Sequence, residues 1–351
     1  MEKKWSHFSL EPHLRILRFG GYCALDASSP PKRLYVHKMY MRFVLFAAII
    51  FMIQHAIRIY EVRNDMNTLM DTMFLLFAYL GSIYKQIVML VKQNDVQELL
   101  NTMKGDLFNQ PEEKHQKLLK STAREAKIIV RIYSLTSIVT SFLMALYLYI
   151  LHVQGTHVEF SVWFPFEPNT KLKFYFTLLY DYIQMAWIAF NITTLDAFIA
   201  FFLQQCTTQI NILGFFTKIE ATFSGAVFCQ FLFGGWILCT TAYRLVEIDK
   251  TSLPCLTIIL FLMCIFAELF LFCFYGSKLT DASVKLMDSA YFLDWLEMPK
   301  KNRRDLLLFM EMIKKPIMPT AGSIAPLANT TFVSIVKSSY SFYAFLKNME
   351  N

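Results

Sequence analysis

Seven long apolar runs separated by polar segments constrain the fold of this chain more than any other feature. An α-helix rises 1.5 Å per residue, so about 20 apolar residues are enough to cross a hydrocarbon core of about 30 Å. The sequence therefore predicts an all-α, polytopic membrane protein. We expect seven transmembrane helices, at Phe43–Ile59, Leu69–Val91, Ile128–Leu151, Phe174–Phe202, Ala221–Val246, Cys255–Tyr275 and Thr320–Leu346.

The composition excludes an ordinary soluble domain. Of the 351 residues, 55% are hydrophobic and 17% are charged, whereas soluble domains are about 45–50% apolar and about 25% charged. The first residues carry charges throughout and have no apolar core, so we expect no cleaved signal peptide. The long loop after the third run contains no cysteine, so the sequence predicts no disulfide framework there.

Lysine and arginine are distributed unevenly between the two sides of the predicted bundle. If the amino terminus is cytoplasmic, 23 of these residues lie in cytoplasmic segments and 7 in outer segments. Basic residues favour the cytoplasmic side, so the sequence predicts a cytoplasmic amino terminus and an extracellular carboxy terminus. The net charge of +7 is thus explained by topology, and no nucleic-acid partner is predicted. G-protein-coupled receptors have the opposite orientation.

Hydroxyl groups occur along the last run, which makes it unlike a purely lipid-facing helix. At 100° per residue, one face carries Ser334, Ser338, Ser341 and Phe345. A hydroxyl stripe that ends in bulky apolar residues is typical of a helix lining a water-filled path with a hydrophobic constriction. The pattern alone also fits close helix packing, or hydroxyls bonded to carbonyls of their own helix.

The carboxy-terminal region also resembles the signature of insect odorant receptors. The matching residues are Pro316, Thr320, Ala321, Gly322, Phe332, Ser334, Ile335, Lys337, Ser339, Tyr340, Ser341 and Leu346. Cys273, Tyr275 and Gly276 resemble the family's exit from the sixth span, and Leu14, Arg15 and Gly20 resemble its amino-terminal entry.

The resemblance implies the odorant-binding subunit of a ligand-gated, non-selective cation channel. Its expected partners are the odorant-receptor coreceptor in a heterotetramer, a small volatile ligand and membrane lipid. Its expected location is the plasma membrane of olfactory sensory neurons. The last span of each subunit would surround a central pore, with Ser334, Ser338 and Ser341 wetting it and Phe345 as the gate. Two alternatives remain open: a gustatory receptor, and a secondary transporter, for which Gly234 and Gly235 in the fifth span are the one hint.

Aromatic and methionine side chains in the outer half of the bundle are candidates for an apolar ligand pocket. Tyr180, Gln184 and Trp187 share one helix face at positions i, i+4 and i+7. The full predicted set is Phe74, Phe77, Met144, Tyr147, Tyr180, Gln184 and Trp187. Ordinary core packing is the alternative in a chain with 34 phenylalanines.

Charged residues inside membrane spans are costly and are therefore functional candidates. We expect Glu268 to find a partner in Arg131, and Asp71 and Asp181 to be solvated near the outer ends of their spans. Lys337 should turn into a helix interface or pair with an acid. No histidine has a cysteine or carboxylate at ligand spacing, and no nucleophile or phosphate-binding motif is present. The sequence therefore predicts no enzyme, metal site or cofactor.

The predicted domain organisation has four parts. Residues 1–42 form a cytoplasmic amino-terminal segment, and residues 43–275 form helices 1–6 with the outer pocket. Residues 276–319 form a cytoplasmic helical anchor region, and residues 320–351 form the pore helix and a short tail. The loop His152–Lys173 is either a compact lid or an interfacial aromatic belt. The connection Leu203–Glu220 is shorter than the family pattern implies, which puts subunit assembly in question.

Overall fold

The computed structural model describes residues 5–26, 29–105, 108, 113–156, 158–168, 170–208, 213–248, 252–292 and 298–350. These residues form helices and one short antiparallel hairpin, which confirms the all-α fold class. The helices are α1 Trp5–Phe19, α2 Pro31–Glu61, α3 Met66–Val91, α4 Gln93–Met103, α5 Glu113–Val153, α6 Lys171–Thr208, α7 Leu213–Glu247, α8 Leu253–Tyr291, α9 Lys300–Ile313 and α10 Asn329–Glu350. The strands are β1 Thr320–Ala321 and β2 Ala325–Pro326.

Six helices, α2, α3, α5, α6, α7 and α8, are long and apolar enough to cross a membrane. Each corresponds to one of the first six predicted spans. Helices α6 and α7 have 38 and 35 residues, or roughly 57 and 53 Å, which exceeds the hydrocarbon thickness of about 30 Å. The connection between them is short, although residues 209–212 lie outside the described part of the chain.

Two shorter helices add apolar stripes to the same core. Helix α1 buries Leu10, Leu14 and Leu17, whose spacing places them on one helix face. These side chains join the main hydrophobic cluster, and α1 packs against α5 and α6. Helix α4 buries Leu99 and Met103 in that cluster. The amino-terminal segment is therefore part of the folded bundle.

The last predicted span begins later than expected. Instead of a helix from Thr320, the chain forms the β1–β2 hairpin, whose turn places Gly322 and Ser323 at positive φ. The backbone N–H and the hydroxyl of Thr320 both donate to Glu220 Oε1, at 2.9 and 2.6 Å. These bonds hold the hairpin against α7. Periodicity could not reveal this because the anchoring carboxylate lies 100 residues earlier.

Helix α10 has 22 residues, about 33 Å of rise, which matches the hydrocarbon core. It is not among the six helices that contain a long enough apolar stretch to cross a membrane, because hydroxyl groups interrupt it. The α10 helix packs against α7 and α8. At its base, a Cβ added to Gly276 would collide with the Leu327 carbonyl, so only glycine allows α8 to approach the hairpin this closely.

Candidate functional site

One face of α10 packs into the protein and the other does not. On the packed face, the Phe332 ring contacts the rings of Phe266 and Phe270 at centroid distances of 6.2 and 5.7 Å. Ser339 is buried and its hydroxyl donates to the Gly235 carbonyl at 3.0 Å. Ser334, Ser338 and Ser341 are exposed on the other side. The three serines that the projection grouped on one face therefore lie on the exposed side of α10.

The exposed hydroxyls also bond to their own helix. Ser334 Oγ donates to the Thr330 carbonyl at 2.9 Å, and Ser341 Oγ donates to the Lys337 carbonyl at 3.0 Å. Lys337 itself is exposed and has no acid partner within the described chain. Within the described chain, Lys337 therefore neither enters a helix interface nor pairs with an acid, contrary to the expectation from the sequence. Phe345 lies on α10, but its side chain is outside the described structure.

Two of the predicted pocket residues enclose a common cavity. Phe74 of α3 and Met144 of α5 line a space of about 20 Å³ together with Phe261 of α8. The Phe74 and Phe261 rings lie 5.2 Å apart. The remaining lining residues are Thr241, Arg244, Thr257 and Ile258. This space is large enough for about one water molecule, so an organic ligand would have to widen it.

The other predicted pocket residues are spread over neighbouring interfaces. Phe77 packs against Phe233 and Trp236 of α7, at 5.7 and 5.4 Å. Trp187 contacts Phe19 of α1 at 5.3 Å. Three more are half-buried in the outer region: Tyr147, Gln184 and Tyr180. The structure thus gathers Phe74 and Met144 at one cavity and does not gather all seven.

The loop between α5 and α6 forms a compact lid, defined here as residues 158–168. Phe160 and Val162 are buried, and the Trp163 backbone N–H donates to the Gln54 carbonyl of α2 at 3.3 Å. The Phe164 ring contacts Tyr180 at 5.8 Å. These contacts support the lid interpretation over a purely interfacial belt. A cavity of about 590 Å³ lies between the lid and the outer helix ends.

Three charged side chains meet at the centre of the bundle. Lys85 Nζ donates to Asp196 Oδ1 at 2.5 Å and to Glu268 Oε1 at 2.8 Å. All three residues are almost completely buried, and they connect α3, α6 and α8. We call them the inner charge cluster. Sequence reasoning missed this cluster, although its three members are ionisable residues within apolar runs.

Two sequence expectations about charge are corrected here. Glu268 pairs with Lys85 and not with Arg131, whose side chain is exposed. Asp181 is 4% exposed and therefore not solvated. Both outcomes depend on which helix face packs against the bundle. Arg131 lies on an exposed face of α5, and Asp181 lies on a buried face of α6. The side chain of Asp71 lies outside the described structure.

These features define a multi-pass helical membrane protein with a lid over the end of the bundle where α5 is joined to α6. The family model described as 7tm Odorant receptor matches residues 65–214 and 206–340. The chain belongs to this odorant receptor family, which is a family of receptors and not of enzymes. It is 24% identical to Odorant receptor 94a of Drosophila melanogaster over 235 residues, and 26% identical to Odorant receptor Or1 of Anopheles gambiae over 143 residues. The matched segments span 58% and 40% of this chain, and 61% and 34% of those receptors.

The fold is also that of a solved insect olfactory receptor. Superposition on the olfactory receptor OR5 from Machilis hrabei gives a TM-score of 0.84, at 15% sequence identity. It covers 98% of this chain and 99% of that receptor. The structure of the same receptor in complex with eugenol also gives a TM-score of 0.84, at 13% identity and 97% coverage of both chains.

Proposed function

We propose that this chain is the odorant-binding subunit of a ligand-gated, non-selective cation channel. It assembles with the odorant-receptor coreceptor into a heterotetramer in the plasma membrane of olfactory sensory neurons. The observation that carries this proposal is the exposed face of α10, where Ser334, Ser338 and Ser341 are left uncovered while the opposite face packs on α7 and α8. Polar groups on a membrane helix are stabilised where they face water or another subunit. A central pore between subunits would give this face both water and a neighbouring subunit.

The ligand is proposed to enter the outer half of the bundle. The cavity at Phe74 and Met144 is bounded by helices that also pack near α10, since α7 and α8 contribute to both. A ligand that widens this cavity binds one arrangement of α7 and α8 better than another and so shifts the channel equilibrium. The eugenol complex of the OR5 receptor supports a small organic ligand for this fold.

Voltage-clamp recording from oocytes tests the proposal. Oocytes expressing this chain with the coreceptor, the coreceptor alone and this chain alone are exposed to a panel of volatiles. We expect an inward cation current that requires both chains and an odorant. Absence of any odorant-dependent current, with both chains confirmed at the cell surface, would contradict it.

The gate assignment has its own test in the same cells. Phe345→Ala should raise the current recorded without ligand, because a smaller side chain widens the hydrophobic constriction. Tyr343→Ala, on the opposite face of the same helix, serves as the matched control and should change this current less. Equal basal currents in wild type and Phe345→Ala would remove Phe345 from the gate.

A further inference from the structure

Four buried polar side chains in the outer part of the bundle have atoms with no hydrogen-bond partner among the described residues. These atoms are His55 Nε2, Tyr79 OH, Thr177 Oγ1 and Asp181 Oδ1. Each residue is at most 4% exposed. Buried polar groups are nearly always paired, and an unpaired one costs about 1–3 kcal/mol. Four such groups in one region make it a candidate for a site that a bound molecule completes.

The four side chains come from three helices and face a common region. The His55 and Tyr79 ring centroids are 4.8 Å apart, and Phe51 contacts both rings. Thr177 and Asp181 are one turn apart on α6, so they share a helix face. Phe51, which contacts both His55 and Tyr79, also contacts Tyr180, the residue next to Asp181 in the chain. We call His55, Tyr79, Thr177 and Asp181 the outer polar cluster.

The cluster is rich in hydrogen-bond acceptors. His55 Nδ1 lies 3.0 Å from the Phe51 carbonyl, which can only accept, so Nδ1 carries the proton. In a neutral imidazole the other nitrogen, Nε2, is then an acceptor. An ionised Asp181 accepts only, while the Tyr79 and Thr177 hydroxyls can do either. A complementary ligand therefore offers several N–H donors and a positive charge.

Aromatic rings complete the surroundings of the cluster. The Phe51 ring contacts Tyr79 at 5.2 Å and Tyr180 at 5.9 Å. The faces of such rings attract cations, and the attraction strengthens where water is excluded. Tyr180 is held in place because its hydroxyl donates to Gln54 Oε1 at 2.8 Å. The rings also provide an apolar boundary for a ligand's carbon skeleton.

The lid connects this cluster with the exterior. Val162 and Phe164 pack on the hydrophobic cluster that contains Phe51 and Tyr79, and the same two lid residues line the outer cavity of about 590 Å³. That cavity is lined by one guanidinium, from Arg58, and by three carboxylates, from Glu61, Glu159 and Glu167. The Lys173 ammonium lies over the ring of Phe166, another lining residue. Arg58 forms salt bridges with Glu61 and Glu159. With Lys173 counted, the cavity has one more carboxylate than cations, and an excess of negative charge concentrates cations at an entrance.

We propose that the outer polar cluster binds the ammonium group of a small protonated amine with an apolar tail. The three N–H groups of a primary ammonium donate to Asp181, His55 Nε2 and the Tyr79 hydroxyl, and the tail lies toward Tyr180. The amine passes through the outer cavity and beneath the lid. This inference rests on the proposed function for a small organic ligand, and it assigns a second site, between α2, α3 and α6, in addition to the cavity at Phe74 and Met144.

Direct binding to the purified chain in lipid nanodiscs tests the proposal without any channel current. The probe is tritiated 2-phenylethylamine at pH 7.4, where an aliphatic ammonium is charged. The comparison ligand is 2-phenylethanol, of similar shape with a neutral hydroxyl. We expect the amine to bind at least tenfold more tightly than the alcohol. A failed channel assay with intact amine binding would then contradict the proposed function and leave this inference standing.

Variants separate an ammonium site from a structural role. Asp181→Asn should weaken amine binding at least tenfold and alcohol binding less than threefold. Tyr79→Phe should weaken amine binding about threefold, and it keeps the test usable if Asp181→Asn does not fold. Glu311→Gln, which removes an exposed carboxylate on α9, should change neither affinity. The amine should raise the melting temperature of the wild type but not of Asp181→Asn.

Several results would overturn the proposal. These are no amine binding by the wild type, unchanged amine affinity in both Asp181→Asn and Tyr79→Phe, or equal losses of amine and alcohol affinity. Complete displacement of the amine by sodium chloride, with potassium chloride at the same ionic strength ineffective, would assign the cluster to an inorganic cation instead.

Discussion

The inner charge cluster and the outer polar cluster are both buried in the bundle, but their hydrogen bonding differs. In the inner cluster, Lys85 donates to one oxygen of each of two carboxylates within 2.8 Å, and the other Asp196 oxygen, Oδ2, has no partner among the described residues. In the outer cluster, Asp181 and three neighbouring side chains have atoms without partners in the described chain. A counter-charge offsets part of the cost of burying a carboxylate, whereas a buried polar atom without a partner carries its full desolvation cost. The first arrangement is suited to holding helices together and the second to binding a ligand.

The largest expected effect comes from breaking the inner charge cluster. Lys85→Met leaves Asp196 and Glu268 buried without a counter-charge, so we expect a loss of about 3–5 kcal/mol of stability. Thermal melting of the purified protein, followed by size-exclusion chromatography, measures this loss. The triple variant Lys85→Met/Asp196→Asn/Glu268→Gln removes all three charges and should recover most of it. A melting temperature unchanged in Lys85→Met would show that the ion pairs do not stabilise the bundle.

An intermediate effect on stability is expected from His13, an unpaired buried residue of α1. It is completely buried, its ring lies 5.8 Å from that of Phe201, and neither ring nitrogen has a partner in the described chain. Burial lowers the pKa of His13 to about 3, from 6.5. Below pH 6.5 the unfolded state therefore binds a proton that the folded state does not bind. The stability that depends on neutral His13 is fully present above pH 6.5 and decreases as the pH falls toward 3.

At pH 5.5 we expect the wild type to lose about 1.4 kcal/mol from this residue relative to neutral pH. His13→Phe should remove that part of the pH dependence. Melting temperatures of both proteins at pH 7.5 and pH 5.5 provide the measurement. Equal acid-induced shifts in the two proteins would mean that His13 is not the group that titrates.

The smallest expected effect compares the same substitution in a paired and an unpaired tyrosine. The Tyr22 hydroxyl is 3.1 Å from Ser82 Oγ, so Tyr22→Phe should cost about 1 kcal/mol. The Tyr79 hydroxyl has no partner among the described residues, so Tyr79→Phe should be neutral or slightly stabilising. Melting temperatures measured without ligand test this difference. A larger loss of melting temperature for Tyr79→Phe than for Tyr22→Phe would contradict the expectation that the paired hydroxyl stabilises the fold more than the unpaired one.

Local patterns in the sequence were enough to predict the six long apolar helices and the face of α10 that carries Ser334, Ser338 and Ser341. Apolar runs identified all six of these helices, and the 100° projection separated Ser334, Ser338 and Ser341 from the packed Phe332 and Ser339. The hairpin at Thr320 was not predicted, because its stability comes from Glu220 on another helix. The pocket residues were only partly predictable, since Trp187 shares a helix face with Tyr180 but contacts α1.

The sequence by itself determined the fold class, the order of the helices and the family, because each depends on residues close together in the chain or on a contiguous motif. The tertiary structure alone decided which charges are paired. Lys85 meets partners 111 and 183 residues away, and Asp181 is buried without a hydrogen-bond partner in the described chain. Helix periodicity fixes which side chains share a face, but only the packing of several helices fixes what that face meets.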